Sequence, residues 1–344
     1  MGLKLKDIIV KKEVAISDLA DRKLVVDSFN VMYQFLATIR TRDGSLLMDS
    51  KGNVTSHLTG MFSRTASLVG SGLRLAFVFD GKAPELKKKE RERRKEAKKT
   101  AQREYEIARE REDIDAMKKY AARTAQLTPE MVEEAKKLIA ALGMPVIQAP
   151  SEGEAQAAHI VRKGEAFAEV SQDFDCLMFG VPRLIRNLTV SERRKMPSRL
   201  SYEVVKPELI ELDENLRALG VTQDQLIAVG ILVGTDFNPG GIKGIGQKNV
   251  LKLVAKHGED FDSLFNEVQW DKTFPFSWSE VFGLIKNMPV TDRYFLEWKQ
   301  PDVDAVMKLL VGEHDFSEQR VSDTLAKMDK AQEQHTQKGL GDFL

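Results

Sequence analysis

Cysteine is nearly absent: Cys176 is the only one in 344 residues. A single thiol allows no intrachain disulfide and no Cys-based metal centre, which suits a reducing intracellular compartment. Long apolar runs are missing too, so no segment has the length a membrane-spanning helix needs. The opening "MGLKLKDIIV" carries no secretory signal. Its Met-Gly start does not make an acylation site, because Lys6 stands where Ser or Thr is required. Net charge is also lacking, with 52 basic against 52 acidic residues. The total therefore neither favours nor excludes nucleic acid, and the local distribution has to decide. What is present, 42% hydrophobic and 30% charged residues, provides ample material for a globular core.

The pattern along the chain alternates short apolar runs with helical periodicity. "RKLVVDSFNVMYQFLATIR" reads as a buried strand ending at Asp27, then a helix carrying Val31, Met32, Phe35, Leu36 and Ile39. "LRLAFVFDGKAP" is a second strand ending at Asp80. "MPVIQAPSEGEAQAAHIVRKG" is strand, turn and helix, and "AFAEVSQDFDCLMFG" is a strand followed by an acidic loop. Alternation of this kind predicts an α/β fold with a largely parallel sheet. Functional groups in such sheets gather at the carboxyl ends of the strands, where Asp27, Asp80, Glu152, Glu154, Asp173 and Asp175 all fall. Ser151, three residues before Glu154, fits a capping box. Capping does not explain acids at the ends of four separate strands, however, and Glu154 cannot serve both Ser151 and a metal, so the box is expected to be incomplete.

Between Asp80 and Glu152 lies a stretch of another kind. Residues 86–126 contain no Gly or Pro and almost no apolar stripe, the mark of a helix exposed on all sides and supported by ion pairs. Within it, residues 87–99 hold nine Lys or Arg against three Glu. In a neutral protein this is a local positive patch suited to phosphate contact. Further on, "GTDFNPGGIKGIGQKNVLKLV" places Asp236 in a Gly/Pro-rich loop, and the glycines precede a new helix. Bare N–H groups at Gly244 and Gly246, with Lys248 in the first turn, can hold a phosphate. This turn resembles a helix–hairpin–helix, which grips duplex DNA without reading bases. The last fifteen or so residues read as a mobile polar tail.

Seven carboxylates converge in this reading: Asp27, Asp80, Glu152, Glu154, Asp173, Asp175 and Asp236. Packed without compensation they would repel one another and hold their protons too tightly. Oxygen-only ligands suit Mg²⁺, with Mn²⁺ as a substitute. Two such ions can activate a water and steady both oxygens of an in-line phosphoryl displacement. Metal-dependent phosphodiester hydrolysis follows as the reaction class.

"VVDSFNVMYQFL", "FVFDGKAPELK", "APSEGEAQAA", "SQDFDCL" and "GTDFNPGGIKGIG", in this order and spacing, resemble the archaeal and eukaryotic flap endonucleases from end to end. The resemblance implies a PIN-like nuclease fold in one domain over 1–330, with a helical arch at about 82–127 and a helix–hairpin–helix at about 222–257. It implies two metal ions. Asp80, Glu152 and Glu154 would be nearest one, Asp173 and Asp175 nearest the other, and Asp27 and Asp236 would act through water. Lys87 and Arg94, seven apart on one helix face, would face the scissile phosphate, and Tyr33 would stack the adjoining base. Arg40, Thr55, Arg64, His314, Phe316 and Arg320 fall on duplex- and 3′-flap-binding positions, with His314 where the family more often has Lys. At the hairpin, Gly241 stands at the serine of the family's K⁺ site, in a loop one residue longer. In the tail over 331–344, Gln337, Leu340, Phe343 and Leu344 resemble a sliding-clamp-binding motif. A monomer acting on 5′-flap DNA is implied, in the cytoplasm if archaeal and the nucleus if eukaryotic, serving replication and repair.

Other readings share parts of this pattern. An excision-repair nuclease, a 5′ exonuclease or a junction resolvase could use the same core. A non-catalytic clamp-bound scaffold would need degenerate acids, and a ribonuclease would not need the hairpin.

Overall fold

The computed structural model describes residues 8–190, 193–195 and 202–341. Nine strands are present among them: β1 (Lys12–Glu13), β2 (Lys23–Asp27), β3 (Arg74–Phe79), β4 (Val146–Gln148), β5 (Ala168–Val170), β6 (Arg183–Arg186), β7 (Arg193–Lys195), β8 (Tyr202–Val204) and β9 (Glu208–Glu211). Seven form one sheet in the order β1-β9-β6-β5-β2-β3-β4, and β7 and β8 form a separate hairpin. The five strands from β6 to β4 run parallel, while β9 and β1 join antiparallel at one edge.

The chain moves outward from β2 to β3 to β4, then returns to place β5 on the other side of β2. That reversal opens a crevice at the strand carboxyl ends, the usual ligand position in such sheets. At the same edge, the end of β2 and the segments that follow β3, β4 and β5 carry six of the seven expected acids.

Successive strand residues point to opposite faces, so each face builds its own core. Val25, Ala76 and Val78 face one cluster, with Ala157, Ala158 and Ile160 below. Leu24, Val26, Leu75 and Phe77 face the other, packed by Met32, Phe35, Leu58, Met61, Leu138 and Ile139. The α-helices up to residue 257 are α1 (Ser28–Thr38), α2 (Ser56–Gly70), α3 (Lys88–Glu110), α4 (Ile114–Ala121), α5 (Pro129–Ala141), α6 (Gly153–Arg162), α7 (Leu212–Leu219), α8 (Gln223–Val233) and α9 (Gln247–His257). Among the described residues, no single helix is long and apolar enough to cross a membrane.

Residues 288–301 have no regular structure, yet they are pinned along their length. The side-chain amide of Gln156 donates to Thr291 O and its oxygen accepts from Thr291 N, both at 2.8 Å. Trp298 Nε1 donates to Leu75 O at 2.7 Å, and the backbone N–H groups of Lys299 and Asp302 donate to Gly143 O and Ala141 O. Gly143 is at φ 76°, and a Cβ there would lie 2.0 Å from Lys299 O. Only glycine lets the strap pass this close.

The C-terminal stretch carries regular backbone as far as Gly341. The Glu318–Gly341 segment is a helix, so most of the predicted tail has regular backbone. From 318 it is free of Gly until Gly339 and free of Pro, and it is rich in Ala, Gln, Glu and Lys, all good helix formers. Gln337 and Leu340 lie on this helix. Phe343 and Leu344 lie outside the described residues.

Candidate metal centre and nucleic-acid interface

Asp27 ends β2 and also starts α1, since its Oδ1 accepts from Asn30 N at 3.1 Å as an N-cap. Its other oxygen accepts from Ser171 Oγ at 3.3 Å. Asn30 joins the two sides of the crevice: Nδ2 donates to Asp173 at 3.0 Å, and Oδ1 accepts from Gln172 N at 3.1 Å. The loops after β3 and β4 are likewise tied, with Gly81 N on Ser151 O at 2.6 Å and Lys82 N on Pro150 O at 3.2 Å.

Helix α6 starts differently from the capping box. Its N-cap is Glu152, without a side-chain cap bond. Ser151 Oγ donates instead to Lys82 O at 3.1 Å, which removes Ser151 from the helix start. Asp80, just after β3, caps the helix, accepting from Gly153 N at 2.7 Å. A Cβ on residue 153 would lie 2.6 Å from that oxygen, so the glycine admits the contact. The helix dipole favours both the capping acid and Glu154 in the first turn.

All seven expected acids line one cavity of about 920 Å³. Tyr33 and the base of α3, including Lys87, Arg93, Arg94 and Lys98, line it as well. The basic stretch thus overhangs the acidic strand ends. Lys87 Nζ is paired with Glu152 and lies 3.3 Å from Asp236 Oδ2, and Arg94 Nη2 donates to Asp236 Oδ1. Lys98 Nζ sits 4.8 Å from the centre of the Tyr33 ring, which is 38% exposed.

Burial first, then Asp80 and Asp173, push the Asp27 carboxyl up to about 8, against the Asn30 hydrogen bond. Burial and Glu152 push Asp80 up to about 6 despite Gly153 N and Lys87. Burial raises Glu154 well above its ordinary value, with Asp175, Asp27 and Asp173 adding repulsion. Burial works against the charge of Lys87, yet Glu152 and Asp236 keep its pKa above that of an ordinary lysine. Among the described residues, no three acidic, His or Cys side chains close into a shell around one ion. The donor set nevertheless fits hard divalent cations: it is all oxygen, and the raised acids are a cluster that cations would relieve.

The remaining expected residues lie elsewhere. Gly246 is the N-cap of α9, Gly244 stands at φ 84° with open space around it, and Lys248 is exposed; none lines the cavity. The Arg40 guanidinium donates to Leu36 O and Gly44 O, and Arg64 donates to Leu188 O. Thr55 is buried at the start of α2, Phe316 is half-buried and Arg320 is exposed. His314 points inward: Nδ1 lies 3.2 Å from Asp49 Oδ2 and Nε2 3.4 Å from Glu134 Oε1. Glu134 Oε2 in turn lies 3.1 Å from Nε2 of fully buried His57.

Sequence reasoning missed Asn30, Ser171 and Glu90, whose roles depend on contacts between distant segments or on burial within a charged helix. It also missed Glu169 on β5, which is fully buried; neither carboxyl oxygen has a hydrogen-bond partner among the N–H and O–H groups described. Burial raises its pKa well above the ordinary value; the neighbouring Cys176 thiol partly offsets this and Asp27 adds to it. A Glu inside a central strand was the available signal.

Residues 1–101 match the XPG N-terminal domain and residues 143–236 the XPG I-region. The chain is 48% identical to Flap endonuclease 1 of Hyperthermus butylicus, covering 97% of this chain and 96% of that protein. It is 47% identical to Flap endonuclease 1 of Pyrococcus furiosus, covering 96% of each. The solved flap endonuclease-1 from Methanococcus jannaschii superposes with a TM-score of 0.75 at 40% identity, over 96% of this chain and 98% of that one. With the parallel sheet, the overhanging basic helix and similarity along nearly its whole length, this chain belongs to the flap endonuclease family.

Proposed function

We propose that two Mg²⁺ ions, replaceable by Mn²⁺, act in this cavity and that the enzyme cuts 5′-flap DNA beside the single-strand junction. Nucleases of this family depend on divalent metal. The observation that carries the reading is the gathering of seven carboxylates from separate segments in one cavity under a basic helix. Asp80, Glu152 and Glu154 would hold one ion, Asp173 and Asp175 the other, with Asp27 and Asp236 acting through water. Bound there, the ions supply an activated water and balance charge on the attacking and leaving oxygens.

The chain's own side chains do the positioning. Lys87 and Arg94 take the scissile phosphate, exchanging their carboxylate partners for its oxygens, an electrostatic role favoured in a water-poor site. Tyr33 stacks the adjoining base without sequence preference. Backbone N–H groups at Gly244 and Gly246, with Lys248, hold the duplex backbone. Arg40, Thr55, Arg64, Phe316 and Arg320 serve the duplex and 3′ side, and His314 supports that pocket from within. A hydroxyl ligand for K⁺ has no place at Gly241, where a Cβ would lie 2.4 Å from the Val233 carbonyl carbon. The motif Gln337, Leu340, Phe343 and Leu344 supports docking of a monomer to a sliding clamp by a few anchoring side chains.

The test is cleavage of flap, bubble and four-way-junction DNA with and without Mg²⁺, by the wild type and Asp173→Ala. Flap cleavage should dominate, and the substitution should slow it by roughly a thousandfold, equivalent to several kcal/mol. Robust cutting by Asp173→Ala at saturating Mg²⁺ would overturn the metal assignment. Faster cutting of bubbles or junctions would overturn the substrate.

A further inference from the structure

Helix α3 is strongly cationic in its first half and solvated along most of its length. Of its 23 residues only Glu90, Ala101 and Ala108 are buried. Glu90 is 2% exposed, an unusual setting for a carboxylate on a helix of this kind. Its Oε1 accepts from Arg93 Nη2 at 2.7 Å and from Arg94 Nε at 2.8 Å, and its Oε2 accepts from Arg93 Nε at 2.7 Å. Residues three and four apart share one helix face, so one acid grips both arginines.

The grip on Arg94 is directional. A guanidinium is planar, with its donors in a rigid fork. Holding Nε fixes that plane and leaves the terminal nitrogens to point elsewhere, and Nη2 points to Asp236 in the carboxylate centre. Arg93 spans both Glu90 oxygens, sharing Oε1 with Arg94, and its own side chain is 55% exposed. Exposed pairs on a helix contribute little to stability. This pair is buried at the acid end and uses charge-assisted bonds, whose value lies in geometric specificity.

We propose that Glu90 is a positioning residue for phosphodiester cleavage, holding the Arg94 guanidinium over the carboxylate centre while Arg93 spans both Glu90 oxygens. The proposal rests on the assignment of Arg94 to the scissile phosphate. Glu90 touches no reacting atom; it presets the direction from which Arg94 meets the phosphate. Misplacing a positioning group by about an ångström costs up to about 100-fold in rate.

The test compares single-turnover rates and KM on a 5′-flap duplex for the wild type, Glu90→Gln, Glu90→Asp, Arg94→Ala and the double variant Glu90→Gln/Arg94→Ala. Circular dichroism and melting temperature establish that each is folded. Glu90→Gln should lower the rate by about 10- to 100-fold with KM within about threefold of the wild type. Glu90→Asp, which keeps the charge but shortens the reach, should fall between them. The double variant should be no slower than Arg94→Ala, because Glu90 acts through that side chain alone.

Glu90→Gln at the wild-type rate overturns the proposal. So does a double variant slower than Arg94→Ala by the full Glu90→Gln factor, or a Glu90→Asp slower than Glu90→Gln. Arg94→Ala at the wild-type rate would instead remove the assignment of Arg94, and this proposal with it.

Discussion

Glu169→Gln should make this protein more stable, by an amount that grows with pH. The side chain is fully buried in the central strand β5, and its carboxyl pKa is pushed well above the ordinary 4.5, first by burial and further by Asp27, against the Cys176 thiol. The folded protein therefore keeps this proton at pH values where the unfolded chain has released it. The unfolded state then binds fewer protons, so stability falls as pH rises above about 4.5 and continues to fall until the folded carboxyl titrates. The slope for one proton is about 1.4 kcal/mol per pH unit. Over the pH range in which the folded protein keeps the proton and the unfolded chain has released it, the wild type loses stability at that slope relative to a variant that cannot ionise. At about 2 °C per kcal/mol for a large domain, the melting-temperature gap should widen by roughly 3 °C for each pH unit of that range. Thermal melts of both proteins in EDTA at several pH values measure this, because the carboxylates that do not interact with Glu169 titrate alike in both and cancel in the difference. Melting curves that stay parallel across the range would refute the buried neutral acid.

The metal centre should show the same sign on a larger scale. Asp27 at about 8 and Asp80 at about 6 keep their protons when folded, so without metal the melting temperature should fall from pH 4 to 8. Metal competes with those protons, so saturating Mg²⁺ should raise the melting temperature more at pH 8 than at pH 5.5, and equal shifts would contradict the cluster. Glu134→Gln takes the charge from the acceptor shared by His57 and His314. It should cost about 1–3 kcal/mol, the usual penalty for leaving a buried partner, here His57, imperfectly paired, and an unchanged melting temperature would show that this His–carboxylate chain does not tie α2 and Asp49 to α5.

The strands and their acids were legible because a parallel strand is a short apolar run, and its carboxyl end is marked by the next polar residue. Asp27, Asp80 and Asp173 were found on that rule. The spacer was legible from what it lacked, an apolar stripe, and α3 indeed buries only three side chains. What depends on partners from elsewhere in the chain was not legible. Ser151 has the spacing of a cap, but the cap of α6 comes from Asp80, just after β3. Asn30 has no motif of its own, since its role comes from contact with Gln172 and Asp173. His314 falls at a position expected to face DNA, yet Asp49 and Glu134 enclose it, and their convergence follows from packing between distant segments.

The strap over 288–301 bears on how members of such a family can diverge. Irregular surface segments ordinarily tolerate insertions and deletions, because nothing fixes their length. Here Thr291, Trp298, Lys299 and Asp302 are each tied to a different part of the fold, and Gly143 leaves no slack beneath Lys299. One extra residue between Thr291 and Trp298 would have to bulge outward or forfeit an anchor. In this protein the length of a stretch without helix or strand is therefore fixed by its anchors rather than by a repeating backbone pattern.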